Sequence, residues 1–188
     1  MRFDKEAKLW DEKPRRVELA NKVVEYVKRE IKNSDKILDF GCGTGLVGLN
    51  FDNEVIGIDL SCEMVNIFNQ KAKILNKKAK AFCLDVNNLT QKFDVIVANM
   101  VFHHIEKIDT MLELLSMKLN KNGKLFISDL YLEDGTFHDK GNDDVFHFGF
   151  EKEDFKSEYF KIVDYSKIYT IFKKKQFDVF ITYLRKVK

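Results

Sequence analysis

Apolar residues along the chain follow two alternating patterns, which predict strands and helices in turn. Short apolar runs are typical of strands that are covered on both faces, and the longer stretches between them carry apolar residues at helical spacing. The predicted strands are residues 36–40, 54–58, 79–84, 93–99 and 125–130. Two further strands, near residues 162–172 and 177–184, are spaced as a closing hairpin.

The stretches between the strands predict three amphipathic helices. The first begins at Pro14, whose missing N–H is harmless at a helix start, and runs to about residue 32. The second is capped by Ser61 and runs to about residue 76, with Met64, Phe68 and Leu75 facing inward. The third spans residues 105–119. Strands that alternate with helices predict a parallel, doubly wound sheet with right-handed crossovers.

Residues 37–48 combine the end of the first strand with a run of glycines. The segment reads Ile-Leu-Asp-Phe-Gly-Cys-Gly-Thr-Gly-Leu-Val-Gly. Glycine adopts positive φ, and because it lacks a Cβ it lets another molecule approach its backbone. A turn at the end of a strand needs one or two glycines, so four within eight residues indicate a site for a nucleotide-type ligand. Doubly wound sheets bind such ligands at the carboxyl ends of their strands.

The acidic residues at the strand ends distinguish between two such ligands. Residues 43–48 match the G-x-G-x-x-G pattern of dinucleotide sites, but Asp39 would then face an incoming pyrophosphate with the wrong charge. Asp59 and Asp85 close the next two apolar runs. One acid at each strand end suits a cationic ligand that carries a ribose and an adenine but no phosphate. S-adenosylmethionine is such a molecule, and NAD is not.

Five segments resemble, in order and spacing, the motifs of class I S-adenosylmethionine-dependent methyltransferases. They are Leu-Asp-Phe-Gly-Cys-Gly-Thr-Gly at 38–45, Ile-Asp-Leu-Ser at 58–61, Leu-Asp-Val at 84–86, Phe-Asp-Val-Ile-Val-Ala-Asn with Phe-His-His-Ile at 93–105, and Leu-Asn-Lys-Asn-Gly-Lys-Leu at 119–125. The resemblance covers about residues 15 to 130. It implies an α/β fold with a Rossmann-like, doubly wound, seven-stranded and mostly parallel sheet that ends in an antiparallel C-terminal hairpin. Residues 1–188 would then form a single methyltransferase domain.

The resemblance also implies how the cofactor, S-adenosyl-L-methionine or its product S-adenosyl-L-homocysteine, is held. Asp39 is expected to accept a hydrogen bond from the methionine ammonium, Asp59 to bind both ribose hydroxyls and Asp85 to accept from the adenine amino group. Leu60 and Met64 are expected to sandwich the adenine. The alternative for each acid is a bond to its own turn, which is a common role of Asp at strand ends. The whole expected cofactor-binding set is Asp39, Gly41, Cys42, Gly43, Gly45, Asp59, Leu60, Met64, Asp85, Val86 and Asn99.

Four histidines are the candidate catalytic residues for methyl transfer. Because the sulfonium is already activated, the rate depends mainly on holding the acceptor in line, and a general base helps when the acceptor carries a proton. His103 and His104 follow the fourth strand beside the expected methyl position, where the alternative is packing at a helix start. His138 and His147 are the candidates on the acceptor side. Their spacing from the nearby acids matches no known metal-ligand pattern, so no metal site is predicted.

Two segments are expected to cover the site. Residues 1–33 form an N-terminal lid and helix, in which Trp10 is either a lid residue or an anchor for the helix. Residues 131–158 form a substrate-side insertion, rich in aromatic and acidic residues, with a short helix near residues 151–158. The side chains expected to face the acceptor are Phe137, His138, Phe146 and His147.

Composition narrows the class of partner. With 32 basic and 30 acidic residues the formal charge is +2, so the chain as a whole presents no field that would attract nucleic acid. Lysines 173–175 are expected to form a solvated turn. Cys42, Cys62 and Cys83 are odd in number and lack a C-x-x-C pair, which predicts reduced thiols in a cytoplasmic protein. We expect neither a secretory signal nor a membrane span, since no apolar run approaches about 20 residues.

Missing motifs narrow the class of acceptor. Asn99 is followed by Met-Val-Phe, where amino-directed DNA methyltransferases carry Pro-Pro-Tyr and cytosine C5 enzymes carry a Pro-Cys nucleophile. The His-His form resembles small-molecule methyltransferases such as those of quinone biosynthesis, and an aromatic cover suits a small organic acceptor. The alternatives are a protein or RNA methyltransferase, or a module that binds the cofactor without catalysis. The acceptor, its reacting atom and the oligomeric state stay open.

Overall fold

The computed structural model of the chain describes residues 2–137 and 144–187. The α-helices are α1 (Arg2–Glu6), α2 (Pro14–Lys28), α3 (Cys62–Ile74) and α4 (Ile108–Met117). The strands are β1 (Ile37–Phe40), β2 (Val55–Asp59), β3 (Ala79–Cys83), β4 (Phe93–Asn99), β5 (Leu119–Leu130), β6 (Phe160–Phe172) and β7 (Gln176–Lys186). Short 3₁₀ helices lie at Ala7–Glu12, Gly48–Asn50, Val86–Asn88, Phe102–His104 and Lys152–Phe155. None of the helices in the described ranges is long and apolar enough to cross a membrane.

The seven strands form one sheet in the order β3-β2-β1-β4-β5-β7-β6. β1 runs parallel to its neighbours β2 and β4, so that Leu38 lies opposite Ile56 on one side and Ile96 on the other. β5 also runs parallel to β4, whereas β7 is antiparallel to both β5 and β6. The prediction of a mostly parallel, doubly wound sheet with an antiparallel C-terminal hairpin is therefore confirmed. The strand order reverses between β1 and β4, which is the point at which doubly wound folds bind ligands.

Both faces of the sheet are covered at its central strands, where side chains that alternate between the two faces are buried on each. Ile37 packs on one face with Val23 of α2 and Phe68 of α3. Leu38, the next residue of β1, packs on the other face with Leu112 of α4. The central strands are thus held from both sides, and they give a firm base to the residues at their carboxyl ends.

Helix ends account for most differences from the predicted elements. α3 ends at Ile74, and Asn76 adopts the left-handed conformation (φ 51°) that stops a helix. Leu75 therefore lies past the last turn, where 54% of it is exposed, so the prediction that it faces inward is wrong. α2 ends at Lys28 instead of near residue 32. Lys152–Phe155 forms a single 3₁₀ turn in place of the predicted helix.

Two of the three cysteines form a disulfide. Cys62 begins α3 and Cys83 ends β3, and the Cα atoms of the pair lie 5.0 Å apart although 21 positions separate them in sequence. The expectation of reduced thiols is therefore wrong for this pair. The crossover from α3 to β3 brings together two cysteines that no short motif relates. Cys42 is a buried free thiol, and burial raises its pKa well above the ordinary value.

Candidate active site

A cavity of about 530 Å³ lies where the parallel strands β1 to β4 end. Its volume is within the range of about 300–1,000 Å³ that is usual for small-molecule sites. Several residues at or next to the ends of these strands line it, and one from each strand belongs to the expected cofactor-binding set. These four are Asp39, Asp59, Asp85 and Asn99. The structure therefore brings predicted residues from four separate strands to one wall.

The glycine loop after β1 shapes the adjoining part of the cavity. Gly41 has a φ of +71°, and a Cβ there would lie 2.4 Å from Cγ2 of Val101, so the loop has no room for a side chain at this position. Gly43, with a φ of +50°, is different, because the nearest atom to its absent Cβ is Nε1 of Trp10 at 4.0 Å. A Cβ at Gly43 would therefore make only an ordinary contact within the chain, so close packing does not require a glycine at this position.

Asp39 is the most buried acid of the cavity, with 2% of its surface exposed. Its Oδ2 accepts a hydrogen bond from the Gly48 amide at 2.9 Å. This approach depends on glycine, because a Cβ on Gly48 would lie 2.6 Å from the same oxygen. Burial, together with the nearby charge of Asp59, raises the pKa of Asp39 to about 7 despite the amide bond. A cation bound in the cavity would favour the ionised carboxylate.

Asp59 fastens the glycine loop to the start of α3, while Asp85 holds the turn after β3. Oδ2 of Asp59 accepts from the Gly43 amide and Oδ1 accepts from the Ser61 amide, both at 2.8 Å. Burial raises the pKa of Asp59, and these amide bonds oppose the rise. Asp85 accepts from the Asn87 amide at 2.8 Å and from its side chain at 2.6 Å. Both acids thus bond to their own turns, yet a carboxylate has about four acceptor sites, more than these bonds use.

The other members of the expected cofactor-binding set divide between lining and support. Those that line the cavity are Gly41, Cys42, Gly43, Leu60, Met64 and Val86. Gly45 does not line it, and because its absent Cβ would lie 2.7 Å from Leu49 this glycine serves packing behind the loop. The side-chain Oδ1 of Asn99 is buried and accepts no hydrogen bond from a described residue. An unsatisfied buried acceptor costs about 1–3 kcal/mol, so a ligand N–H that reaches Asn99 would remove this cost.

Residues 2–12 fold over the glycine loop and the start of α3. Asp11 accepts from the Thr44 hydroxyl at 2.5 Å and pairs with Lys71 at 2.7 Å. Asp4 accepts from the Ser61 hydroxyl at 2.5 Å. Sequence reasoning missed these residues, because their partners lie 33, 60 and 57 positions away and no motif marks them.

Trp10 closes the cavity above the glycine loop. The Arg16 guanidinium stacks on its ring, with Cζ 3.3 Å from the centroid, and donates to the Trp10 carbonyl at 3.1 Å. Phe3 lies edge-on to the same ring, with 5.8 Å between centroids. Trp10 is therefore anchored to α2 and also forms part of the cavity wall. Trp10 thus makes the contacts expected of an anchor for the helix, and its role as a lid residue over the cofactor stays a prediction.

His103 forms a buried pair with Asp129 of β5. Nδ1 of the imidazole lies 2.8 Å from Oδ1 and 3.0 Å from Oδ2 of the carboxylate, and exposure is 2% for His103 and 0% for Asp129. Because a carboxylate oxygen accepts, Nδ1 carries a proton, and in the uncharged form of the ring the lone pair is on Nε2. His103 also lines the cavity. Sequence reasoning missed Asp129, although it obeys the rule that found the other acids: it lies at the end of a parallel strand.

His104 also lines the cavity. Its Nδ1 lies 2.5 Å from the backbone carbonyl oxygen of Asp144, and its ring lies edge-on to Phe3. Burial and the neighbouring His103 lower the pKa of His104, so the ring is neutral near pH 7. His104 therefore contributes a neutral imidazole to the same wall as the His103–Asp129 pair.

The aromatic segment after β5 reaches the cavity only in part, as far as the structure describes it. Phe137 lines the cavity. Phe146 is 57% exposed, and the amides of Phe146 and His147 bond back to the His103 carbonyl. The structure therefore places neither of these two side chains in the cavity lining, although both were expected to face the acceptor. His138 lies outside the described residues.

Comparison with known proteins assigns the chain to a family. A family model described as a methyltransferase domain matches residues 12–179. An uncharacterized methyltransferase of Schizosaccharomyces pombe is 35% identical over 121 residues, which cover 57% of this chain and 43% of that protein. A ubiquinone biosynthesis O-methyltransferase of Pelagibacter ubique is 31% identical over 124 residues, which cover 57% of this chain and 52% of that protein. The chain thus spans about half the length of the curated relatives it matches.

Solved structures agree in fold. An S-adenosylmethionine-dependent methyltransferase of Clostridium acetobutylicum is similar with a TM-score of 0.69 at 17% identity, over 100% of both chains. The magnesium protoporphyrin IX methyltransferase of Synechocystis has a TM-score of 0.70 at 18% identity, over 92% of this chain and 80% of that chain. At these identities the likeness concerns the fold, and the family rests on the match over residues 12–179. The chain belongs to the methyltransferase domain family, among the class I S-adenosylmethionine-dependent methyltransferases.

Proposed function

We propose that this chain transfers a methyl group from S-adenosylmethionine to a small-molecule acceptor. The observation that carries the proposal is that the strand-end acids, the glycine loop and the His103–Asp129 pair meet on one cavity. The acids and the glycine loop would hold the cofactor. The histidine pair would accept a proton from the acceptor.

The strand-end wall fits a cationic adenosyl ligand. Asp39 is buried, and a cation gains more from a negative charge there than at the surface. Asp39 and the unsatisfied Oδ1 of Asn99 would accept from the methionine ammonium, and the glycines that line the cavity, Gly41 and Gly43, would let the rest of that moiety approach the backbone. Asp59 would bind the ribose hydroxyls and Asp85 the adenine amino group. The residues that would surround the adenosyl group are Cys42, Leu60, Met64 and Val86.

The chain's own part in the chemistry is to orient the acceptor and to move a proton. S-adenosylmethionine supplies a methyl group that is already activated by its sulfonium. Asp129 fixes the His103 ring through Nδ1, and it would stabilise the imidazolium that forms when Nε2 takes the proton of the acceptor. His104, which is neutral near pH 7, would contact the acceptor without charge.

The cover over the cavity supports a small acceptor over a macromolecule. Residues 2–12 lie across the glycine loop and Phe137 contributes a further part of the wall, which leaves a space of small-molecule size. The names of the relatives alone do not distinguish a small-molecule acceptor from a macromolecule. One is named for ubiquinone biosynthesis, whereas another, from Aquifex aeolicus and 28% identical, is named a ribosomal protein L11 methyltransferase.

Calorimetric titration tests the cofactor site. We expect S-adenosylhomocysteine to bind and NAD not to bind. Asp59→Ala should weaken the binding by at least about tenfold, because each hydrogen bond to a charged group is worth roughly 1.5–3 kcal/mol. Asp94→Ala is the matched control, since Asp94 also accepts two hydrogen bonds, from the Lys36 amide at 2.9 Å and the Asn120 side chain at 2.8 Å, but at the amino ends of the strands. Tight binding of NAD, or equal losses of affinity in both variants, would contradict the proposal.

Release of S-adenosylhomocysteine, screened over a metabolite library, tests the enzyme itself. Once an acceptor is found, His103→Gln should lower turnover about 10²–10⁴-fold while affinity for the cofactor is retained. A wild type that binds the cofactor but releases no product with any acceptor would indicate a binding module. Product release with protein or RNA, and with no metabolite, would indicate the macromolecular alternative.

A further inference from the structure

Charge is divided along the cavity. The strand-end acids lie towards β1, β2 and β3, on one side of the sheet. The other side of the lining comes from the start of α2 and from Lys173, which follows β6. A hydrogen bond from the Tyr169 hydroxyl of β6 to Glu18 joins α2 to this strand. The charged residues that these two segments contribute to the lining are Lys13, Arg15, Arg16 and Lys173. All four are basic, so this side of the cavity is positively charged.

Arg15 differs from the other basic residues of this side. Arg16 stacks on Trp10 and pairs with Glu6 at 3.4 Å. Lys173 donates to a backbone carbonyl, and Lys13 has contacts of its own. Arg15 is partly buried and lines the cavity, and it makes no hydrogen bond or ion pair with any described residue. A partly buried guanidinium without a counter-ion is unfavourable, so Arg15 is a group that an anionic ligand would stabilise.

The first turn of α2 gives a second reason to expect an anion here. It contains two arginines and no acidic residue, and Lys13 at the N-cap makes no side-chain cap hydrogen bond. A helix start is stabilised by acidic residues and by a capping side-chain oxygen. The first turn of α2 instead carries positive charge and has no capping hydrogen bond. An anion bound beside Arg15 would offset the unfavourable charge.

We propose that the acceptor carries a carboxylate on an apolar body and that Arg15 binds this carboxylate, an inference that rests on the function proposed above. The planar guanidinium matches the two oxygens of a carboxylate with two parallel hydrogen bonds. Leu19, Met100 and Ile171 line the same cavity and supply apolar contact for the body of the acceptor. Arg15 thus selects the acceptor by charge, while the strand-end acids hold the cationic cofactor.

The fluorescence of Trp10 provides the test, because Trp10 is the single tryptophan of the chain and lines the cavity. The protein is first saturated with S-adenosylhomocysteine and is then titrated with cyclohexanecarboxylate and with the neutral cyclohexanecarboxamide. We expect wild type to bind the carboxylate at least about tenfold more tightly than the amide. Arg15→Gln should lose this preference. Arg15→Lys should keep part of it, because lysine retains the charge but not the planar pair of donors.

Lys22→Gln is the matched control, because it removes the same charge from the same helix at an exposed position outside the cavity lining. It should keep the full preference, and all four proteins should bind S-adenosylhomocysteine equally well. A wild type that binds the carboxylate no more tightly than the amide, including one that binds neither, overturns the inference. An Arg15→Gln variant that keeps the preference overturns it as well. If S-adenosylhomocysteine itself fails to bind, the proposed function is wrong, and this inference, which rests on it, is wrong as well.

Discussion

The two sides of the cavity are built from contacts of very different range. On the strand-end side, the bonded partners of the acids lie within 16 positions: Asp39 bonds to Gly48, nine positions away, and Asp59 bonds to Ser61 and Gly43, two and 16 positions away. The cover, which consists of residues 2–16 with Phe137 and Lys173, is joined to the rest of the chain by distant partners. There Asp11 pairs with a lysine 60 positions away.

This difference follows from how each side is formed. The strand-end side arises wherever a parallel strand turns into the next element, so its acids and glycines are set by the sheet itself. The cover takes its residues from segments that meet only in the folded chain, and such segments can vary without disturbing the sheet. Changes on the strand-end side should therefore affect folding and cofactor binding together, whereas changes on the cover should affect binding alone.

The largest expected effect separates two glycines of the same loop. Gly41→Ala forces a left-handed residue and places a Cβ 2.4 Å from Val101, which should destabilise the fold by roughly 2–5 kcal/mol. Gly43→Ala has the same kind of backbone, but its Cβ would lie 4.0 Å from the nearest atom, so it should cost only about 1–2 kcal/mol. Because the cofactor is proposed to lie against this loop, the added methyl group should lower affinity for S-adenosylhomocysteine by about tenfold or more. Urea unfolding and calorimetry measure the two effects.

The two glycines do not differ as described if Gly41→Ala and Gly43→Ala behave alike. Equal losses of stability would mean that Gly43 is packed as tightly as Gly41. Unchanged affinity in Gly43→Ala would mean that the ligand does not approach the glycine loop at Gly43.

The same contrast in range explains what could be predicted from the sequence. The strands, their order along the chain and the acids that close them follow from local patterns, and the sheet is confirmed. Asp39, Asp59 and Asp85 reach one cavity because parallel strands end at one edge, although their roles stay predictions. The Cys62–Cys83 disulfide and the bonds of the cover depend on distances in space that no local pattern encodes.

Asp129 illustrates which part of the site the sequence predicts and which part only the structure shows. It lies at the end of β5 and could have been found by the rule of one acid per strand end. Its partner His103 was chosen as a candidate for a different reason, its position after β4. The pairing of the two, 26 positions apart, required the structure. Both members of this pair can therefore be predicted from the sequence, each for its own reason, but the bond between them cannot.

Asp39 should make the stability of the fold depend on pH. The folded pKa of about 7 lies above the ordinary value near 3.9, so the unfolded chain releases this proton at lower pH than the folded one. Stability from this group is therefore complete below about pH 4 and is lost as pH rises towards 7. Asp39→Asn does not titrate, and without ligand it should be more stable than wild type at pH 8 by up to roughly 4 kcal/mol.

Thermal melting at pH 4 and pH 8, with and without S-adenosylhomocysteine, checks the role of Asp39. The advantage of Asp39→Asn should vanish at pH 4, which serves as the internal control. The same variant should gain less from the ligand than wild type does, because it lacks the charge that is proposed to face the ammonium. If Asp39→Asn melts below wild type at pH 8 without ligand, Asp39 supports the fold and does not serve the cofactor.

The smallest expected effect tests the cover alone. Asp11→Asn keeps an acceptor for the Thr44 hydroxyl but removes the charge that pairs with Lys71 at 2.7 Å. Because Asp11 and Lys71 are 36% and 29% exposed, the ion pair is worth about 0.2–1 kcal/mol. S-adenosylhomocysteine should therefore bind no more than about fivefold more weakly, with little change in melting temperature without ligand.

Asp52→Asn is the matched control for Asp11→Asn, because Asp52 pairs with Lys77 at 2.8 Å but lies outside the cavity lining. It should leave the affinity for S-adenosylhomocysteine unchanged. Calorimetry on the two variants gives the affinities, and melting curves show whether either change reaches the fold. The cover is distinct from the strand-end side only if Asp11→Asn lowers affinity and Asp52→Asn does not. A loss of stability in Asp11→Asn as large as that in Gly41→Ala would show that the N-terminal segment is part of the core, since removing a half-exposed ion pair cannot by itself destabilise the sheet to that extent.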